Sequence, residues 1–378
     1  MIPVMKPWLG DEEARAAAEA VASGWVAQGP RVAEFESAFA AYVGAPHGVA
    51  VSSCTTALHL ALHLLGIGLG DEVVVPSFSF IATANSAVYV GATPVFADVE
   101  VADGNVSART VEPVLTDHTR AVVVVDQGGM PADVQPLREL CERRGIALVE
   151  DAACAAGSRY RGAPAGGQAA LAAWSFHPRK LLTTGEGGML TTSDAELAVR
   201  ARRLREHGMN LSAADRHQSR QPVIESYLEV GFNYRMTDIQ AAVGLVQLGK
   251  LDAMVVRRRE LASNYQEALA EVPGLRTVQD PPWGESNFQS FWVELRDDYP
   301  LRRNELLTAL ADEGVSARAG IMATHRQPAY AGHAHGDLTT TERLTDNTLI
   351  LPLFHTMTER EQQRVVTLIR RAAGLRAA

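Results

Sequence analysis

The chain has 378 residues, 47% hydrophobic and 21% charged, enough for a sizeable core divided into two or three structural units. Its 44 acidic and 35 basic residues leave a formal charge of -9, which gives no electrostatic basis for binding nucleic acid. No apolar run reaches the roughly 18 residues of a membrane helix. The start carries no basic segment followed by an apolar one, and Cys54, Cys141 and Cys154 match neither a zinc spacing nor a disulfide framework. A reducing cytoplasm is the expected compartment.

In chain order, the first helix is expected over residues 11 to 22, since Asp11, Glu12 and Glu13 suit its positive end and Gly24 releases the chain. SGWVAQGP reads as a loop entering a second helix near Val32 to Tyr42. From His47 to Val149, strands alternate with helices: GVAVSS before ALHLALHLLG, DEVVVPS before SFIATANSAVYV, then TPVFADV, AVVVV, a helix near Val134 to Arg144, and IALVE. That alternation predicts an α/β unit with a mostly parallel sheet. Ligands of such sheets bind beyond the carboxyl ends of the strands. The candidate rim is therefore Ser52 to Thr56, Pro76 to Phe80, Asp126 to Gly129 and Glu150 to Cys154.

Beyond AALAAWSF lie a turn holding Lys180, a short strand GGMLTT and a charged helix near Asp194 to His207. Residues 208 to 226 have no clear period and are expected to form a mobile loop. A long helix from Thr237 to about Asn264 follows, with Gly249 offering a break and a hinge. PGLRTV, FQSFWVELR, RRNELLTALADEG and TEREQQRVVTLIRRA predict a smaller α+β unit. The expected division is 1–254 for the larger unit and 255–378 for the smaller.

Asp151 ends a strand 29 residues before Lys180, with one strand between them, so both are expected near the same sheet end. A carboxylate facing a ring nitrogen and an amine facing an aldehyde account for the pair. In SSCTTALHLAL, hydroxyl residues open a helix, a pattern that serves ordinary capping and also cradles an anion. One cofactor carries phosphate, pyridine nitrogen and aldehyde together: pyridoxal 5'-phosphate.

The chain resembles the DegT/DnrJ/EryC1/StrS aminotransferase family, fold type I of the pyridoxal-phosphate enzymes. The motifs that carry the resemblance are GPRVAEFE, SSCTTALHLAL, GDEVVVPSFSFIATANS, GATPVFADV, GMPADV, VEDAACAAGSRY, WSFHPRKLLTTGEGGMLTT, GFNYRMTDIQAAVGLVQL and ILPLFHTMTEREQ, in family order. The resemblance implies a large pyridoxal-phosphate-binding α/β domain with a mostly parallel sheet and a small C-terminal α+β domain. It implies that Lys180 binds the cofactor aldehyde and shuttles a proton, and that Asp151 pairs with the ring nitrogen. Phe80 would lie over the ring, although a Phe at a strand-to-helix junction also serves as core. Ser175 with Thr55 and Thr56 would hold the phosphate. Asn233 or Arg235 would reach the phosphate from the second chain of a homodimer.

Many relatives have Gln where this chain has Cys154, so Cys154 is a variant neighbour of the ring hydroxyl; a thiol is a weaker donor with less reach. Gln127, His325 and Tyr330 are candidate substrate contacts. His177 is expected to orient the lysine loop, and His333 with His335 to lie on the surface. The implied reaction takes an amine from L-glutamate and gives it to a nucleotide-linked keto-sugar, 4-keto-6-deoxy ahead of 3-keto. A keto-inositol or other carbocyclic ketone is the alternative acceptor. A dehydratase branch of the family replaces the lysine with histidine, against which Lys180 stands. A non-catalytic binding protein on the same fold and a cysteine desulfurase are the remaining rivals.

Overall fold

The computed structural model describes residues 1–211, 224–333 and 335–375. The expected 208–226 loop falls mostly outside them. Its described flanks pair with each other through Met209 and Tyr227 and an Asn210 N–H to Ser226 C=O bond of 3.0 Å.

Runs of Val dictate the larger sheet. Val73 to Val75 and Val122 to Val124 are fully buried, so both faces of their strands must be covered. Seven strands lie in the order His47–Val51, Gly188–Thr192, Leu171–Ser175, Ala147–Asp151, Thr119–Val125, Glu72–Pro76 and Thr93–Ala97. Gly188–Thr192 runs antiparallel to both its neighbours, and the pairings among the other strands are parallel. One face is packed by Leu58, Leu60 and Leu62 of the helix Cys54–Leu64 against Val73, Val149, Leu171 and Leu190. The other carries an aromatic cluster in which Phe39 meets Trp174 and Phe176 edge-on at 5.2 and 5.0 Å. This order sets the Leu171–Ser175 strand directly beside Ala147–Asp151, which brings the Lys180 turn to the Asp151 end.

The second helix starts at Pro30. Its cap comes from far along the chain, because the buried Asp238 carboxylate accepts the N–H groups of Gly29, Arg31 and Val32 at 2.7, 3.1 and 3.0 Å. The long helix differs from expectation. It runs from Asp238 to Leu269 without a break at Gly249, where a side chain would meet only open space. Glycine costs about 1 kcal/mol in a helix but removes no hydrogen bond, and packing on both sides of it overrides that cost. The helix packs against Asp11–Ala22 and Pro30–Tyr42, and also against Glu359–Ala372. Part of it is apolar enough to cross a membrane by composition alone, yet Leu251, Met254, Leu261 and Tyr265 are buried within this chain.

A second sheet, ordered Leu275–Thr277, Phe291–Leu295, Thr348–Leu351 and Arg318–Ala319, is antiparallel throughout. Its core joins Phe291, Val293, Leu349 and Leu351 to Leu306, Val365 and Ile369 of two helices and to Leu261 and Tyr265 of the long one. Ile2 from the chain start bridges to Val315 and enters this core.

Asp103 is buried, accepting the Asn105 N–H at 3.1 Å, and burial pushes its carboxyl up to about 6 from 3.8. The folded chain therefore holds this proton more tightly than the unfolded one, and stability falls as pH rises from about 4 to about 6. Asp103→Asn keeps the acceptor and is expected to raise stability at pH 8 by at most roughly 3 kcal/mol, a tenfold change in proton affinity being worth about 1.4. The gain should shrink at pH 5, as read from urea midpoints at the two pH values.

Candidate active site

Asp151 is the last residue of the Ala147–Asp151 strand and is buried. Thr83 donates its hydroxyl to Oδ2 at 2.8 Å, the Ala153 N–H reaches Oδ1 at 3.2 Å, and the Cys54 thiol lies 3.9 Å from Oδ1. Burial raises its pKa, while the Thr83 bond and the nearby Lys180 charge work against that rise. Lys180 sits in the turn beyond the Leu171–Ser175 strand, its N–H bonded to His177 C=O at 2.8 Å. The ammonium donates to Cys154 Sγ at 2.9 Å. Burial pulls its pKa down, but the Cys154 contact, with Cys54 and Asp151 nearby, outweighs this and leaves the amine above its ordinary value. Burial and the Asp151 carboxylate push the Cys54 thiol well up, so it is held as a thiol and is no nucleophile.

At the start of Cys54–Leu64, capping and anion cradle divide between neighbouring residues. Ser53 is the cap, and Thr56 is engaged with it, donating to Ser53 C=O at 2.8 Å and accepting its N–H at 3.1 Å. The Thr55 hydroxyl has no protein partner among the described residues and remains for an anion at the helix end. Gly188 passes so close that a Cβ there would lie 2.4 Å from the Ser53 carbonyl carbon, so only glycine lets this strand begin against the helix start. Ser175 Oγ is half-buried and accepts the His177 N–H at 3.4 Å. The 231–236 stretch lies beside this loop in its own chain, through a Ser52 N–H to Tyr234 C=O bond of 2.8 Å. Asn233 is exposed and Arg235 half-buried, and neither side chain bonds within the chain among the described residues.

Phe80, 65% exposed in the loop beyond Glu72–Pro76, is not core. His177 accepts the Arg179 N–H at Nδ1 (3.2 Å) and braces the lysine turn. Three expected substrate contacts have polar atoms bonded within the chain. The Gln127 amide donates to Phe78 C=O at 2.6 Å. His325 is buried, with Nδ1 on Ser77 Oγ at 2.6 Å and Nε2 on Glu342 at 3.1 Å, so both ring nitrogens are taken. Tyr330 is buried against Phe96 and donates its hydroxyl to Asn85 at 2.7 Å. Both therefore tie their loop to the larger unit through these bonds. Sequence reasoning missed Thr83, whose only signal was a hydroxyl on the buried side of a helix start, and missed Asn287 and Gln289, whose amides reach the Cys154 and Lys180 loops.

These groups fit pyridoxal 5'-phosphate: an amine for the aldehyde, a buried carboxylate for the ring nitrogen, an exposed Phe80 face, and a helix end with an unclaimed hydroxyl and a glycine cradle for the phosphate. The family model of the DegT/DnrJ/EryC1/StrS aminotransferases matches residues 7–370. The spore coat polysaccharide biosynthesis protein SpsC of Bacillus subtilis (strain 168) is 38% identical, covering 98% of this chain and 96% of its own. DesI, solved in the presence of its TDP-sugar product, is 32% identical with a TM-score of 0.89, covering 98% of this chain and 93% of its own. Spr1654 of Streptococcus pneumoniae, 25% identical, superposes in a PMP-form with a TM-score of 0.92 over 99% of both chains. Its PLP-form superposes with a TM-score of 0.90, covering 99% of this chain and 98% of its own. On sequence, fold and site together, the protein belongs to the DegT/DnrJ/EryC1/StrS aminotransferase family, with the type I fold and pyridoxal 5'-phosphate as its cofactor.

Proposed function

We propose that the protein moves an amino group from L-glutamate to the keto group of a nucleotide-linked sugar, a 4-keto-6-deoxy sugar first and a 3-keto sugar next. The observation that carries this reading is the convergence of Lys180, Asp151 and the Cys54–Leu64 helix start at one sheet end, in a family whose member DesI has a TDP-sugar product. When bound, the cofactor supplies an electron sink for the pair left at the substrate carbon. Asp151 would hold the ring nitrogen in its protonated form. Lys180 would hold the cofactor at its aldehyde carbon and, as a free amine, would carry a proton to and from the substrate carbon. Cys54 and Thr83 keep the Asp151 carboxylate in place.

The functional unit in this reading is a homodimer. Asn233 or Arg235, both without a side-chain partner among the described residues of their own chain, would complete the phosphate seat of the second copy.

The test follows the cofactor absorbance of the purified holoenzyme on addition of L-glutamate, then titrates the aminated form with nucleotide keto-sugars and keto-inositols. Return of the original spectrum with one nucleotide keto-sugar supports the proposal. Return with a keto-inositol alone replaces the acceptor, and no response to glutamate replaces the donor.

Thr83→Val keeps the shape and removes the hydroxyl from Asp151. Turnover is expected to fall about tenfold or more, because a hydrogen bond to a charged group is worth about 1.5–3 kcal/mol. Thr83→Ser should restore most of it, and steady-state rates of the three proteins check this.

A further inference from the structure

The segment 286–289, between the short strand Gly284–Glu285 and the strand Phe291–Leu295, lies across the ends of three loops of the larger sheet. The Gln289 side chain brackets the lysine: Oε1 accepts the Leu181 N–H at 3.0 Å and Nε2 donates to Arg179 C=O at 2.5 Å. The Asn287 amide donates to Cys154 C=O at 2.7 Å and Ala156 C=O at 2.8 Å, while its oxygen accepts the Gln289 N–H at 2.7 Å. Two side-chain amides two positions apart thus grip both sides of the 2.9 Å contact between Cys154 Sγ and Lys180 Nζ. The third loop is tied by Ser290 N–H to Gly128 C=O at 2.9 Å. A Cβ at Gly129 would fall 1.9 Å from the Asn287 oxygen, and the backbone there is left-handed at φ +91°.

The strap is itself held under constraint. Phe288 has a left-handed φ of 49°, which a side-chain-bearing residue adopts only when its surroundings impose it. The buried Arg258 imposes it, donating from Nε and Nη2 to Phe288 C=O at 2.9 and 2.7 Å, from Nη2 to Gln289 C=O at 2.9 Å and from Nη1 to Leu353 C=O at 2.7 Å. No carboxylate pairs with this guanidinium among the described residues, and burial lowers its pKa to about 9. An unpaired buried cation is a costly way to hold a loop for stability alone.

We propose that Gln289 and Asn287 are positioning residues for the amino transfer, setting the lysine turn against the cofactor aldehyde and the Cys154 loop against its ring, with Arg258 fixing the strap that carries them. This rests on Lys180 as the cofactor-bearing amine. Neither residue touches the reacting atoms, so they act through the backbone on either side of Lys180 and at Cys154.

The experiment compares holoenzymes of the wild type, Gln289→Leu, which removes both bonds to the lysine turn, and Gln289→Glu, which keeps the acceptor for Leu181 and loses the donor. Expected for Gln289→Leu is a kcat lower by about 10- to 100-fold, the scale of a misplacement of about 1 Å, with the KM for the amino donor little changed. The pH midpoint of the lysine-bound cofactor band should move by roughly half a pH unit or more. Hydrogen exchange at the Leu181 amide should quicken. Gln289→Glu should restore the Leu181 protection and part of kcat. Circular dichroism reports the fold, and if Gln289→Leu does not fold, the band midpoint and kcat of Gln289→Glu decide, their expected deviation being smaller and in the same direction. Unchanged band midpoint and kcat in a folded variant overturn the strap proposal. Absence of a lysine-bound band in the wild type, or its survival in Lys180→Ala, overturns the reading of Lys180 instead.

Discussion

Lys180→Ala is expected to give a folded protein that binds pyridoxal phosphate without the lysine-bound absorption band and turns over more than about 10⁴-fold more slowly. That figure is the upper end for one positioned proton-transfer group, and Lys180 has a second task in binding the aldehyde. The fold should survive, because among the described residues the Lys180 side chain carries a single hydrogen bond, to Cys154. Lys180→Arg separates charge from chemistry. It keeps the positive charge beside Asp151 but cannot lose its proton to attack an aldehyde. An arginine variant as inactive as the alanine one assigns the whole loss to bond formation and proton transfer. An arginine variant with substantial activity would show that the charge alone sufficed. Spectra of the loaded proteins and single-turnover rates with L-glutamate distinguish these outcomes.

How much was legible in the chain depended on how far each signal reaches. The Val runs that force a two-sided sheet, and the acidic first turn of Asp11–Ala22, are local, and the strands and that helix form where expected. The ordered motifs made Lys180 and Asp151 readable as a pair, and the strand order explains why the two meet. What was not readable depends on partners far away. The Pro30 helix start is capped by a carboxylate about 208 positions on. His325 and Tyr330 suggest chemistry by residue type, but each bonds a residue roughly 245 positions earlier that occupies its polar atoms. Gly249 signals a break by local propensity, and packing on both halves of the helix overrides it. The amides of Asn287 and Gln289 look like ordinary loop residues until their acceptors, more than 100 positions upstream, are brought beneath them.

Asp151→Asn is expected to lower turnover by about 10²- to 10³-fold, the range for losing one preorganised electrostatic contact, while leaving the fold intact. Asparagine still accepts from the Thr83 hydroxyl and the Ala153 N–H through its oxygen, so the local bonds can be kept. The charge is what disappears, and in the cofactor-free protein that charge is a burden. Burial holds the Asp151 pKa above its ordinary value, so the folded chain binds that proton more tightly than the unfolded chain. Its stability contribution is full below the unfolded value of about 3.9 and is lost as pH rises through the folded one. The cofactor-free Asn variant should therefore melt higher than the wild type near pH 8, with the difference closing in acid. Loading reverses the ranking, because a protonated ring nitrogen beside Asp151 turns a buried lone charge into a buried pair, and tight binding to the folded state raises its stability. The increase in melting temperature on adding pyridoxal phosphate should then be larger for the wild type than for the variant. Equal increases would mean that Asp151 does not meet the ring nitrogen. A variant with unchanged turnover but a smaller increase would mean that the carboxylate binds the cofactor without controlling its chemistry.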